Sequence, residues 1–415
     1  MSCEHKPWQE SMPEDQFERM RAILGAPSPV GLEAAMTTGV LAPYVEGFMP
    51  KGWSIRKFRG NAGIVIDTAP NKTDAFTVML IGHADKIRLQ VRSIGKDGKI
   101  WVNSDSFLPT TLIGHEVRLF SEDPDAPGRY RVIDGGTIEA LGAIHFAPPG
   151  VRDGSKGIDA KKLYLELQLH GEDRKKQIDA LGIRAGDSLL LNRPIRHGFA
   201  PDTFQGAYLD NGLGCFVVVE VARLLAEAGG LKNVRYLGAA ATHEEIGRFG
   251  SRVLAGELRP DVVIAVDVNH DYEAAPGVAD RRFEPLAMGK GFTLSVGAVA
   301  SAGLNAIIQQ VAKAHDIPVQ ISLVGRDTGT DAMAAALASI DAAATSLGFP
   351  IRNMHTISES GHTGDVLAAL YAVVHALQHM DAMNDGAGIC SDDLIDAHPR
   401  LDLAHDLEHR PAADE

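Results

Sequence analysis

Two adjacent glutamates, Glu244 and Glu245, close an apolar run of the chain, RYLGAAATHEEIG. A carboxylate pair at the end of a buried strand is costly unless a cation neutralises it. Histidines and aspartates follow other apolar segments in the same way, namely His83, Asp85, Asp210, Asp267 and His355. These nitrogen and oxygen ligands are of the types that bind pairs of divalent metal ions in hydrolytic enzymes. The chain therefore carries the side chains of a dinuclear hydrolytic centre.

The number of candidate ligands allows a division of roles. Two metal ions about 3.5–4 Å apart need a bridging carboxylate and further ligands on each side. One aspartate as the bridge, with two histidines, one aspartate and one glutamate, meets that need. The remaining glutamate can act as the base on the attacking water. Imidazole and carboxylate ligands without thiolate favour two Zn²⁺ ions, or Co²⁺ or Mn²⁺, over copper or an iron–sulfur cluster.

Several of these residues also have an ordinary structural interpretation. Asp210 could cap the helix that follows it, and Asp267 could form a turn at a strand end. Glu244 and Glu245 could be a solvated pair at a helix start, although the AAAT run before them favours a position next to the core. Asp331 is interpreted as part of a helix N-terminus rather than as a ligand.

Composition limits the class of protein. A chain of 415 residues with 45% hydrophobic and 23% charged residues is typical of a globular protein with two domains, or one domain with an insertion. No uninterrupted apolar run approaches the roughly 20 residues of a membrane span, so no membrane partner is expected. The net charge of −14 disfavours nucleic-acid binding. Three distant cysteines predict no disulfide framework and favour a cytoplasmic location.

The order of apolar runs predicts an α/β fold with an insertion. A helix over 14–25 and strands such as FTVMLIG come first, and strand–helix alternation resumes from about residue 208. Between them, short alternating runs predict a β-rich module. We therefore expect a catalytic domain in two parts, 1–87 and 193–384, an inserted β-rich domain, 88–192, and an acidic tail, 385–415. In such sheets, ligands bind beyond the carboxyl ends of the strands, where His83, Glu244 and Asp267 stand.

The order of the motifs H-x-D, Asp-Asn, Glu-Glu, V-D-V and R-x-x-H-(S/T) resembles the glutamyl aminopeptidase family of co-catalytic metallopeptidases. This is metallopeptidase family 42, with the tetrahedral and deblocking aminopeptidases. The likeness runs from about residue 17 to 380 and includes the segments ALGIRAGD, MGKG and GTDA. It implies a mixed, mainly parallel sheet with flanking helices and a small inserted domain, PDZ-like or a barrel. That domain would help dimers to assemble, often into dodecamers.

The resemblance also implies roles for single residues. One metal would be held by His83, Asp210 and Asp267, and the other by Asp210, Glu245 and His355, with Asp210 as the bridge. Glu244 would be the general acid/base, and Asp85 would complete the catalytic set by orienting the imidazole of His83. His355 is preferred over the nearby His362 because it follows the IRN segment as the family motif does.

The implied activity is release of the N-terminal residue of short peptides by water activated between two metals. An alternative is an amidase with the same metals that acts on a modified or acylated small peptide. The chain departs from the family pattern at Lys86 and Arg88, which follow H-x-D, and at His243, where glutamine is common. We expect Lys86 and Arg88 to be exposed strand residues, and one of them to attract an acidic group of the substrate. His243 is expected behind the ligands or in the wall of the site.

Overall fold

The computed structural model describes residues 6–72, 74–140, 142, 144–275, 285–339 and 342–384. The predicted acidic tail, 385–415, lies outside these residues, as do Cys3 and Cys390. The described strands are β1 Ser54–Lys57, β2 Gly63–Asp67, β3 Phe76–His83, β4 Leu89–Ile94, β5 Ile100–Ser104, β6 Glu116–Glu122, β7 Tyr130–Ala140, β8 Leu163–Glu166, β9 Ser188–Leu191, β10 Arg196–His197, β11 Thr203–Gly206, β12 Val234–Ala241, β13 Val262–His270, β14 Phe292–Val296, β15 Val319–Leu323, β16 Ala343–Ile351 and β17 Glu359–His362.

The described α-helices are α1 Glu14–Gly25, α2 Ala34–Met36, α3 Ala42–Glu46, α4 Pro149–Arg152, α5 Arg174–Ala180, α6 Leu209–Glu227, α7 Phe249–Leu258, α8 Ala302–Ala314, α9 Asp331–Ser339 and α10 Thr363–Met383. A π-helical stretch, Thr37–Leu41, joins α2 to α3. The first helix has the bounds that its amphipathic pattern predicts.

The largest sheet has eight strands in the order β1-β2-β12-β3-β13-β16-β14-β15. The four central strands, β12, β3, β13 and β16, are parallel to one another, and antiparallel pairs occur only towards the edges. Every residue of β12 and β16 is buried. Continuous apolar strands of this kind are typical of a sheet that is covered on both faces. The predicted mixed, mainly parallel sheet is confirmed.

Helices cover the two faces of this sheet with separate apolar clusters. Val78 and Leu80 of β3 pack in the cluster that includes α1, α6 and α10, whereas Met79 and Ile81 pack in the cluster with α7 and α9. This alternation follows from the two-residue period of a strand. Helix α10 has the length and hydropathy of a membrane span, but 61% of its apolar window is buried inside the protein. It is the central core helix of the first cluster.

The inserted domain is a closed antiparallel barrel of six strands in the order β4-β5-β8-β7-β6-β9. It has its own core, which includes Leu89, Val102, Leu119, Ile138 and Leu189. Its strands lie between Leu89 and Leu191 in the chain, after β3 and before α6. Of the two architectures expected for the insertion, the structure is the barrel. A small sheet, β10-β11-β17, then joins the segment after the barrel to the start of α10.

Candidate metal centre

Four neighbouring parallel strands end at one edge of the large sheet. His83, the last residue of β3, lies beside Ala241, the last residue of β12, and the chain continues from there to Glu244 and Glu245. On the other side of β3, β13 carries Asp267, which pairs with Gly348 of β16. His355 follows the end of β16. The strand register thus gathers side chains that are far apart in the sequence.

Close packing of glycines brings the start of α6 to this edge. A Cβ atom on Gly82 would lie 2.4 Å from the backbone of Gly214, and one on Gly214 would lie 2.4 Å from the carbonyl oxygen of Val266. Only glycine allows β3, β13 and α6 to approach this closely. Asp210 and Asn211 have non-helical backbone angles, so the regular part of α6 begins after them. Asn211 caps this part, because its Oδ1 accepts from the backbone N–H of Gly214 at 2.8 Å. The carboxylate of Asp210 is therefore left for the site.

Asp210 is the centre of the cluster. His83 Nε2 lies 3.1 Å from its Oδ1, and His355 Nε2 lies 3.2 Å from its Oδ2. Asp267 Oδ1 is 3.7 Å from His83 Nε2, and Glu245 Oε1 is 3.9 Å from His355 Nε2. All five predicted ligands therefore meet around one carboxylate. The ligand atoms of His83, Asp210 and Glu245 lie within 4.8 Å of one another, an arrangement that can hold a metal ion.

The carboxylate oxygens of the cluster fit a divalent cation. Asp210 Oδ1 and Glu245 Oε1 are buried and make no hydrogen bond of ordinary geometry within the described residues. Such oxygens are costly without a compensating partner. Burial and the negative charge of Asp210 raise the pKa of Glu245 to about 10. Protein groups alone thus do not stabilise the ionised carboxylate, whereas a bound cation does so.

The two histidines and Asp210 affect one another's pKa. Burial disfavours protonation of His83, but the carboxylates of Asp267, Asp210 and Asp85 outweigh this and raise its pKa well above the usual value. Burial raises the pKa of Asp210, but the imidazoles of His355 and His83 outweigh it and lower this pKa below its ordinary value. Asp210 is therefore an anion with one imidazole on each side, a disposition that suits a bridging ligand.

Asp85 links the first strand end to the glutamate pair. Its Oδ1 accepts from the backbone N–H of Glu244 at 3.0 Å, and its Oδ2 accepts from that of Glu245 at 3.1 Å. Its own carbonyl oxygen lies 3.1 Å from His83 Nδ1, and its Oδ1 lies 3.6 Å from the same atom. One buried carboxylate thus holds both glutamates by their backbone and stands behind the imidazole.

Glu244 lies between two cavities. One, of about 260 Å³, includes His83, Asp210 and His355 in its lining, and the other, of about 540 Å³, includes Met333 and Leu337. The Nε atom of Arg248 donates to Glu244 Oε1 at 3.1 Å, and the same guanidinium pairs with Asp327. Burial raises the pKa of Glu244 to about 8. A carboxylate between the candidate metal ligands and a substrate-sized cavity is suited to proton transfer.

Glu359 is a functional candidate that sequence reasoning missed. It is 2% exposed, and its Oε2 accepts from the backbone N–H groups of Leu209 at 2.6 Å and Asp210 at 3.4 Å. Its Oε1 accepts from the backbone N–H of His355 at 2.8 Å. Glu359 therefore fixes two ligand-bearing segments by their backbone. Its sequence context, ISESGH, has no apolar run before it, so the pattern that marked the other carboxylates is absent.

Asp331 is a second buried carboxylate near the cluster. It begins α9, as predicted, and its Oδ1 accepts from the hydroxyl of Ser251 at 2.5 Å. Its Oδ2 is buried without a hydrogen bond within the described residues. Burial raises its pKa to about 7, and the carboxylates of Asp85 and Asp267 add to this effect. It enlarges the negative charge that the site presents to a cation.

Three other predicted positions lie away from the ligands. His362 caps α10, since its Nδ1 accepts from the backbone N–H of Gly364 at 3.1 Å. The imidazole of His243 contacts the hydroxyl of Thr242 and lies 3.9 Å from Glu33. Arg88 is half-buried and donates to the hydroxyl of Ser188 and to Asp105.

The expectation that Lys86 is exposed is wrong. Lys86 is only 2% exposed, and its backbone pairs with Pro29 rather than with the barrel strands. The loop after α1 folds over it, so that Lys86 Nζ donates to the carbonyl oxygens of Leu24 and Ala26 at 2.7 and 2.5 Å. These contacts link distant segments, and therefore the local sequence could not reveal them.

The sequence profile of the M42 glutamyl aminopeptidase family matches residues 63–371. The chain belongs to this family. It is an M42 hydrolase of the aminopeptidase type, and its metal-dependent chemistry is a property of the family.

Relatives support the assignment over most of the chain. The lysyl aminopeptidase of Pyrococcus furiosus is 30% identical over 75% of this chain and 84% of its own length. The TET aminopeptidase of a marine sediment Thaumarchaeota archaeon has a similar fold, with a TM-score of 0.76 and 22% identity over 89% of this chain and 98% of that one. The Pyrococcus horikoshii TET1 peptidase, which can assemble into a tetrahedron or an octahedral shell, has a TM-score of 0.68 and 16% identity over 87% and 98%.

Proposed function

We propose that this M42 protein removes the N-terminal residue of short peptides, with two divalent metal ions at the edge of its large sheet. The arrangement around Asp210 carries the proposal. Its two carboxylate oxygens face two different histidines, at 3.1 and 3.2 Å. A carboxylate that faces one imidazole on each side has the disposition of a bridge between two metals.

The remaining ligands divide between the two sides of Asp210. His83 and Asp267 would complete one site, and Glu245 and His355 would complete the other. Bound ions of the Zn²⁺, Co²⁺ or Mn²⁺ type would lower the pKa of water and polarise the peptide carbonyl. The buried Oδ1 of Asp210 and Oε1 of Glu245, which make no hydrogen bond to the residues that the structure describes, support this ligand set.

Glu244 would transfer the protons. Its Oε1 is held by Arg248, and its Oε2 has no donor within the described residues, so one oxygen remains to accept a proton from the attacking water. The same carboxyl would return that proton to the leaving amine of the peptide. Arg248 also restricts the rotation of the side chain, which favours a fixed proton path.

Asp85 and Glu359 would hold the metal ligands and Glu244 in place without contacting the substrate. Asp85 orients the backbone of the glutamate pair and faces the Nδ1 side of His83, so its removal would loosen both. Glu359 fixes the backbone at Asp210 and His355. Groups behind metal ligands commonly change metal affinity by about 10–100-fold when they are replaced.

We also propose that the chain works as a cytoplasmic homo-oligomer, from a dimer to a dodecamer, with the barrel domain as an assembly element. The P. horikoshii TET1 peptidase of similar fold assembles into large shells. In this proposal residues 1–87 and 193–384 form the catalytic domain, and residues 88–192 form the domain that mediates assembly. Light scattering of the purified protein gives the mass directly, and a monomer at micromolar concentration would contradict this part of the proposal.

The decisive experiment is a metal add-back assay. The protein is stripped with a chelator, and Zn²⁺, Co²⁺ or Mn²⁺ is returned before a panel of aminoacyl-p-nitroanilides is offered. We expect activity to return with metal, to rank the side chains and to disappear when the amino group of the best substrate is acetylated.

Two outcomes would change the proposal. Cleavage of acetylated or otherwise modified substrates only, with two metals bound per chain, would favour the specialised amidase. Failure to bind any of the three metals would overturn the ligand set itself.

A further inference from the structure

A further cavity, of about 230 Å³ and with a mainly apolar lining, lies where the barrel meets the catalytic part of the chain. Its wall combines the loop after α1, the end of β9 and the segment that leads from the barrel to α6. Three cationic side chains line it: Lys86, Arg118 and Arg193. We call it the basic cavity. Its lining contains no aspartate or glutamate, although acidic residues outnumber lysine and arginine in the chain by 54 to 40.

Lys86 forms the floor of the basic cavity. Two of its three ammonium protons are used by the carbonyl oxygens of Leu24 and Ala26, and its Nζ lies 5.3 Å from the ring centre of Tyr208. The third proton has no acceptor within the described residues. No carboxylate there approaches within 4.0 Å, although a buried ammonium is normally paired. Burial accordingly lowers the pKa of Lys86 to about 7.

The two arginines add unsatisfied donors. Arg193 is exposed at the cavity and has no hydrogen bond or ion pair from its guanidinium within the described residues. Arg118 contacts Asp134 only through Nε, at 3.3 Å, so its two terminal amino groups have no carboxylate partner there. Burial is the main cause of the lowered pKa of Lys86, and the positive charge of Arg118 adds to it.

We propose that the basic cavity binds a small oxyanion with two or more negative charges, of the phosphate class. Guanidinium groups bind phosphate oxygens through paired N–H donors, and a lysine adds a point charge. The volume of about 230 Å³ has room for a phosphate group or a small phosphomonoester. The site is separate from the metal centre and does not depend on the proposed peptidase activity.

Titration calorimetry of the metal-loaded protein with inorganic phosphate tests the proposal. The parent is compared with Arg193→Gln and Lys86→Met, and with Arg196→Gln as a matched control. Arg196 is an exposed arginine three residues away and has no ion pair within the described residues. Phosphate that binds elsewhere, including at the metal centre, is common to all four proteins. Only the difference between them therefore reports the basic cavity.

We expect phosphate affinity to fall about tenfold or more in Arg193→Gln, because one charge-assisted contact is lost, and to stay unchanged in Arg196→Gln. Glycerol phosphate in place of inorganic phosphate distinguishes the source, since an ester binds only if the cavity is open on one side. Equal phosphate affinity in the parent and both cavity variants would overturn the proposal. Because Arg193 is exposed, its replacement keeps the test valid even if Lys86→Met does not fold.

Discussion

The candidate metal centre is rich in carboxylates and the basic cavity in cationic side chains, and they are built in different ways. In the metal centre, short side chains are held at the ends of neighbouring strands, and Asp85 and Glu359 bind the backbone behind them. In the basic cavity, long side chains reach inward from separate segments at a domain junction. In both cases some groups of the cluster have no partner within the described residues, which points to a ligand. The difference lies in how rigidly each presents its charge.

Side chains held rigidly suit catalysis, whereas flexible side chains suit the binding of an anion. The buried end of β3 leaves His83 little freedom, and Glu359 holds the backbone of Asp210 at the start of α6, so the candidate ligand set keeps its geometry. Lysine and arginine side chains retain several rotatable bonds and adapt to an anion of variable shape. Replacing one residue should therefore have large effects at the metal centre and graded effects at the cavity.

The largest effect is expected for Glu244→Gln. The amide keeps the shape of the side chain but cannot accept the proton, so kcat should fall about 10²–10⁴-fold while the metal content is kept. The measurement is steady-state turnover of the best p-nitroanilide, together with metal analysis. Glu257→Gln on α7 is the control, because Glu257 is exposed and pairs only with Arg56. Turnover near that of the parent would remove Glu244 from the mechanism.

Glu359→Gln should weaken metal binding about 10–100-fold. The new amide must turn its NH₂ group towards a backbone N–H of Leu209 or His355, so one ligand-bearing segment loses its anchor. Metal retained after dialysis against a graded chelator measures the effect.

Asp365→Asn is the matched control for Glu359→Gln. Asp365 is also buried and accepts two backbone N–H groups, from Gly289 and Gly291, at 2.7 Å each. We expect its replacement to lower stability without changing metal affinity. If both variants lose metal equally, Glu359 has no special role at the site.

Lys86→Met should change how stability depends on pH. The pKa of Lys86 in the folded protein, about 7, lies below the ordinary lysine value of 10.5, so unfolding takes up a proton between those pH values. The parent should therefore gain stability relative to the variant as pH rises from 7 to 9, by on the order of 1 kcal/mol per pH unit. Below pH 7 the group is charged in both states, and the difference becomes constant. Urea unfolding at several pH values measures it.

Cys215, Glu359 and Arg118 are the charged or titratable groups that act on the pKa of Lys86, and its Nζ lies over the ring of Tyr208. All four are present in both the parent and the variant, so their own titration largely cancels in the comparison. Lys313→Met, at an exposed lysine of α8, should show no such pH dependence. Saturating phosphate should reduce the slope for Lys86, because a bound anion favours the charged amine. Identical slopes in the parent and Lys86→Met would contradict this reading of the basic cavity.

The smallest effect is expected for His362→Ala, which removes the cap of α10. Loss of one capping bond should lower the free energy of unfolding by about 1 kcal/mol and leave activity intact. His355→Ala, in contrast, should lose most activity, because it faces Asp210. Thermal unfolding and turnover of the two variants decide between the histidines. Loss of activity in His362→Ala alone would reverse the assignment.

The sequence by itself determined the main sheet and the residues at its edge. The apolar runs that end at His83, Glu244 and Asp267 are buried strands, and a polar residue directly after such a run needs a partner or a function. Periodicity also located α1 with its bounds, Glu14–Gly25. Both signals are local, since each depends on a few consecutive residues.

Only the tertiary structure decided the groups that act across the fold. It showed that Glu359 fixes the segments of Asp210 and His355, and that Lys86 is buried beneath the loop after α1. It also closed the inserted strands into a barrel. These features depend on contacts between residues up to 150 positions apart, such as Glu359 with Leu209. The neighbours of a residue in the sequence do not reveal such a pair, because the contact forms only when the fold brings the two distant residues together.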